Sequence, residues 1–74
     1  MKTWLVKDSK QDYGKRSGRT LLEAIVHVML DECICKPSDV VYNNNLDRLY
    51  IESCDEYIDR ILDEMTAYSE EVLI

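Results

Sequence analysis

The residues able to do chemistry in this 74-residue chain are few and scattered. Its metal-ligating candidates are Cys33, Cys35, Cys54 and the single histidine, His27. Structural zinc sites draw on C-x₂₋₄-C pairs, and Cys33-Ile34-Cys35 is spaced more tightly than that. An odd number of cysteines without a secretion signal reads as free thiols in a reducing cytoplasm, with no metal and no cofactor. On a helix His27 faces away from Cys33, so the two do not form a nucleophile–base pair. The run Gly14-Lys15-Arg16-Ser17 has the flavour of a phosphate-binding loop but lacks the upstream glycine at the required spacing. No Ser-His-Asp set or pair of catalytic carboxylates stands out, and a chain this short has little material for the walls of an active site. The expectation is a protein that is not an enzyme.

The chemistry that remains is charge. In Asp55–Glu64, "DEYIDRILDE", helical spacing stacks Asp55, Asp59 and Asp63 along one stripe. Glu56 and Glu70 extend it to an arc of roughly 100° if the helix runs that far. Like charges four residues apart destabilise a helix, and aspartate is a poorer helix former than glutamate. The carboxylates recur about every 6 Å along the stripe, near the spacing of phosphates on a nucleic-acid strand. Such a face suits a basic partner, although it would also serve simply to keep the protein in solution. The opposite pole is the segment 7–19, where Lys10, Lys15, Arg16 and Arg19 surround Tyr13 and could contact a phosphate backbone. The acidic helix would repel that same ligand.

The elements that must carry these groups follow from periodicity. Lys2–Lys7 alternates as a strand, with Trp4 and Val6 on one face. Segment 8–19 reads as a polar loop holding both glycines, with a short strand around Tyr13–Arg16 as a fourth-strand option. Thr20 opens a helix by a capping box with Glu23. Leu22, Ile25, Val26, Met29, Leu30 and Cys33 form its apolar stripe, and Lys36-Pro37 is expected to end it. Val40–Tyr42 and Leu49–Ile51 read as a hairpin around Asn43-Asn44-Asn45. Ser53 caps a second helix with Ile58, Ile61, Leu62, Met65, Tyr68 and Val72 as its stripe. The expected fold is one α+β domain over residues 1–74, β-α-β-β-α. It has a small, mainly antiparallel sheet of three or four strands and both helices on one face. If the first and second of these strands are neighbours, the crossover between them is right-handed and they are parallel.

Composition is that of a small globular domain: 46% hydrophobic and 32% charged, with a net charge of −6. Residues 1–36 carry seven Lys/Arg against five Asp/Glu, whereas residues 37–74 carry two against ten. A surface with poles implies a charged partner. No apolar run approaches a membrane span. The tail Glu70–Ile74, "EEVLI", ends in three apolar residues that finish the core or form a homodimer contact.

In outline the chain resembles small phage-encoded accessory proteins of the anti-CRISPR type. The features are a short first strand "KTWLVK", a charged loop, a helix opening "TLLEA", a hairpin and an acidic amphipathic end. The resemblance covers the whole chain, rests on no specific motif, and transfers no functional residue. It implies a non-enzymatic inhibitor that blocks a nucleic-acid-handling complex in the host cytoplasm. The residue reading agrees in kind: Asp55, Glu56, Asp59, Asp63 and Glu70 would meet a basic protein surface, as nucleic-acid mimicry. The alternatives are a small nucleic-acid-binding protein using Lys10, Lys15, Arg16 and Arg19, or a homodimeric structural module.

Overall fold

A computed structural model describes residues 1–43, 48–51 and 56–73. The elements run β1 (Lys2–Lys7), β2 (Asp12–Gly18), α1 (Leu21–Asp31), a 3₁₀ turn (Pro37–Asp39), β3 (Val40–Asn43), β4 (Arg48–Ile51), α2 (Glu56–Tyr68) and β5 (Glu70–Glu71). The class is α+β, with a three-stranded antiparallel sheet ordered β2-β1-β5 and a separate antiparallel pair β3-β4. The expected topology is extended at one point and corrected at another. The short strand expected around Tyr13–Arg16 is present and longer, running Asp12–Gly18, and the β3-β4 hairpin forms its own sheet instead of joining β1. The question of a parallel pairing with β1 therefore does not arise.

The core forms where α1 and α2 pack on the Trp4/Val6 face of β1. Val6, Ala24, Ile25, Val28, Met29 and Met65 are fully buried, with Cys35 and Ile58 nearly so. Trp4, Tyr13, Ile34, Val40, Ile61 and Leu62 pack around them. As its sparse polar edge implies, α1 is buried over most of its circumference, and His27 and Asp31 are exposed.

The helix begins as the sequence dictates: the Glu23 N–H donates to the Thr20 hydroxyl at 3.2 Å. The reciprocal half of the capping box is replaced, because the Glu23 carboxylate pairs with Arg19 at 3.4 Å. The helix ends well before Pro37. The Ile34 N–H donates to Met29 O (2.8 Å) and the Cys33 N–H to Leu30 O (3.1 Å), the paired bonds of a Schellman stop. Cys33 takes the left-handed position with φ 57° and is exposed, while Cys35 is buried. The expected place of Cys33 on the apolar stripe is thereby corrected.

Both glycines act at β2. Leu5 pairs with Lys15 and Lys7 with Asp12, so β2 carries one extra residue. The extra residue is a bulge at Gly14, whose φ of 84° suits glycine. The bulge shifts the alternation so that Tyr13 turns to the core side. Gly18 lies against the start of α1; a Cβ there would stand 3.0 Å from Ala24 N and 3.1 Å from Thr20 O. The indole N–H of Trp4 donates to Gly18 O at 3.1 Å, closing the same corner.

Val40 pairs with Ile51 and Val41 with Tyr50, as the hairpin reading requires. The proposed turn at Asn44 and Asn45 and the Ser53 cap lie outside the described residues, as do Cys54 and Asp55. No described helix is long and apolar enough to cross a membrane.

Candidate functional site

The acidic face of α2 is real in its middle and different at its end. Glu56, Asp59 and Asp63 are all exposed, on the side of the helix opposite buried Ile58 and Met65. Among the described residues none of these three carboxylates makes an ion pair. Glu56 and Asp59 lie in the first turn, where the positive end of the helix dipole favours them. Only Asp63 sits where neither a cap nor a dipole offsets its repulsion. Glu70 is corrected: α2 stops at Tyr68, and Glu70 belongs to β5, opposite Leu5. There it pairs with Lys7 at 3.9 Å, while Glu71 pairs with Lys2 at 3.6 Å. Val72 likewise leaves the helical stripe, its N–H donating to Thr3 O at 2.9 Å, and Tyr68 is half-exposed.

The structure adds a site that periodicity does not show. Between the β1–β2 turn, the end of α1 and one flank of α2 lies a cleft of about 410 Å³. Its apolar surface comes from Ile34, Ile61 and the rings of Tyr13 and Tyr57; its polar groups are Asp8, Lys10, Gln11, Glu32, Arg60 and Glu64. Asp8 organises the turn. Its carboxylate accepts from the Tyr13 hydroxyl (2.6 Å) and from the backbone N–H groups of Lys10 and Gln11 (2.8 Å each). These bonds, the tyrosine first, with the Lys10 charge adding, hold the Asp8 carboxyl below its ordinary range. Tyr13 is pushed up in turn by burial and by the bond to Asp8.

Glu64 ties α2 to this turn. Its carboxylate accepts from the Ser9 N–H at 2.8 Å and from the Ser9 hydroxyl, contacts that lower its pKa. Ser69 adds a second tie. Its hydroxyl accepts from the Lys7 N–H (3.1 Å) and donates to Lys7 O (3.3 Å). The sequence does carry a signal for the turn, since an aspartate two to three residues before backbone donors is an Asx-turn pattern. The link from Ser9 to Glu64, 55 residues apart, has no local signal.

The basic residues are not brought together. Lys10 and Arg19 lie beyond opposite ends of β2, roughly 20 Å of strand apart. Lys15 and Arg16 point to opposite faces. Arg16 pairs with Asp31 at 3.5 Å and Arg19 with Glu23. Burial raises the pKa of Cys35, and among the described residues no cluster of three or more His, Cys, Asp or Glu could hold a metal ion. Compared with known protein families, curated proteins and solved structures, the chain matches none of them.

Proposed function

We propose that this is a non-enzymatic binding protein of the cell interior whose acidic α2 face masks a basic surface on a nucleic-acid-handling protein complex, in the manner of an anti-CRISPR inhibitor. One observation carries the reading: the charges are sorted. Lys2, Lys7, Arg16 and Arg19 each pair with a carboxylate of the same fold, whereas Glu56, Asp59 and Asp63 stand exposed on one helix face. Negative charge is thus left on this face for a partner, while four of the nine Lys/Arg side chains are paired inside the molecule. An acidic face speeds encounter with a basic surface and makes association salt-sensitive.

The test is affinity capture from the cells that carry the protein, with the wild-type chain and an Asp59→Asn/Asp63→Lys variant as parallel baits. The reading expects a nucleic-acid-binding complex that is retained at low salt, displaced by added DNA or RNA, and lost with the variant. Identical capture by both baits would refute it. A gel shift with DNA and RNA at low salt addresses direct nucleic-acid binding, which the dispersed positions of Lys10, Lys15, Arg16 and Arg19 disfavour.

A further inference from the structure

The cleft beside α2 is built for more than general acidity. Three carboxylates, Asp8, Glu32 and Glu64, outnumber two cations, Lys10 and Arg60, around it. Two of the three are held in place: Asp8 by three donors and Glu64 by Ser9. They are fixed acceptors with lone pairs to spare.

The third is placed against the ordinary rules of helix electrostatics. Glu32 is the C-cap of α1, and the last turn holds no basic residue. The carbonyl end of a helix carries partial negative charge and repels a carboxylate. Asp31 beside it is answered by Arg16; Glu32 makes no ion pair among the described residues. Glu32 therefore adds to the cleft lining a negative charge that no described ion pair answers.

The cleft is also amphipathic. Ile34 and Ile61 supply apolar lining, and Tyr57, 58% exposed, lines it as well. A cleft lined by apolar side chains, carboxylates and tyrosine rings matches one kind of side chain. Arginine has a methylene stem that buries on apolar surface, and a planar guanidinium that stacks on tyrosine and bonds carboxylates.

We infer that this cleft receives an arginine side chain from a basic segment of the protein partner, an anchor beside the α2 face; the inference rests on the reading of a basic partner given above. The outer face would attract the partner, and the cleft would fix its register.

The experiment uses the full chain, isotope-labelled, titrated at low salt with a blocked arginine-containing peptide. The control peptide carries citrulline, which keeps the shape and loses the charge. The expected result is amide shifts at Ile34, Tyr57 and Ile61 with the arginine peptide and none with citrulline. Glu32→Gln should weaken that binding about tenfold, while Asp63→Asn, on the outer face, should weaken it less. Because Glu32 and Tyr57 are exposed, Glu32→Gln and a confirming Tyr57→Ala should both fold, which the spectra themselves report. Shifts at Glu56, Asp59 and Asp63 with none at Ile34, Tyr57 and Ile61, or equal affinity for Glu32→Gln, would overturn the cleft while leaving the basic-partner reading intact. No shift at any peptide concentration would also overturn it, and the capture experiment would then decide the broader reading separately.

Discussion

At the scale of single residues, the clearest departure from local preference is Cys33. A left-handed φ of 57° costs an L-residue about 1–2 kcal/mol, and glycine is the usual occupant of this position in a Schellman stop. Cys33→Gly should therefore stabilise the fold by about 1 kcal/mol, seen as a melting temperature raised by roughly 4–8 °C. A lower melting temperature would mean that the exposed thiol contributes something the backbone does not reveal. The second residue-scale prediction concerns acid. The folded-state pKa values of Asp8 and Glu64 lie below their ordinary values, so the unfolded chain takes up protons first. Their contribution is complete above the ordinary carboxylate range, about 3.9–4.3, and is lost as pH falls through the depressed folded values. Tyr13→Phe removes the main cause at Asp8, and a carbon-detected titration should show the Asp8 carboxyl moving back toward its ordinary value. An unmoved titration would assign the shift to the turn backbone alone.

At the scale of elements, what was legible is what is written locally. Thr20 and Glu23 announce the start of α1, alternation announces β1, and β-forming residues around the asparagine turn announce β3 and β4. The middle of α2 was legible from Ile58, Ile61, Leu62 and Met65. What was illegible depends on distant partners. β2, Asp12–Gly18, is legible only as a short-strand option around Tyr13–Arg16, because apart from Tyr13 it is made of polar residues and two glycines; its full length depends on the ladder β1 offers and the bulge Gly14 allows. The sequence points to a later end of α1 because Pro37 is a stronger local signal than a cysteine in a left-handed cap. The helical period continues through Glu70 and Val72 on paper, whereas β1 draws Glu70 into a strand and accepts a backbone hydrogen bond from Val72. The cleft was missed for the same reason: its parts come from three segments, and the Ser9–Glu64 link spans 55 residues. The packing of α2 can be tested in the same terms. Met65 is fully buried, so Met65→Ala should cost about 2–5 kcal/mol, a large share of the stability of a domain this small. Ile61 is half-buried on the cleft side, and Ile61→Ala should cost clearly less. Equal losses in denaturant unfolding would mean that α2 is rotated toward the cleft.

At the scale of the whole molecule, the argument turns on which charges the fold consumes. The net charge of −6 is not a uniform coat. The sheet edges use acids to neutralise lysines, as at Lys2–Glu71 and Lys7–Glu70, and α1 binds Arg16 and Arg19 at its two ends. The outer face of α2 stands outside this pairing. Position 59, in the first turn, gains from the helix dipole, so its aspartate has a structural reason to be there. Position 63 does not: lysine is the better helix former, and it would relieve the repulsion from Asp59. Asp59→Asn/Asp63→Lys should therefore leave stability within about 0.5 kcal/mol of the parent, the gain at 63 offsetting the loss at 59. Against a basic partner the same variant should associate more slowly and show a flatter salt dependence, because exposed charges act mainly on the encounter rate. The two measurements separate the explanations. A large loss of stability would show that these carboxylates serve the fold. An unchanged association rate, with stability also unchanged, would reduce the face to a solvated surface and move the search for the partner's footprint elsewhere on the molecule.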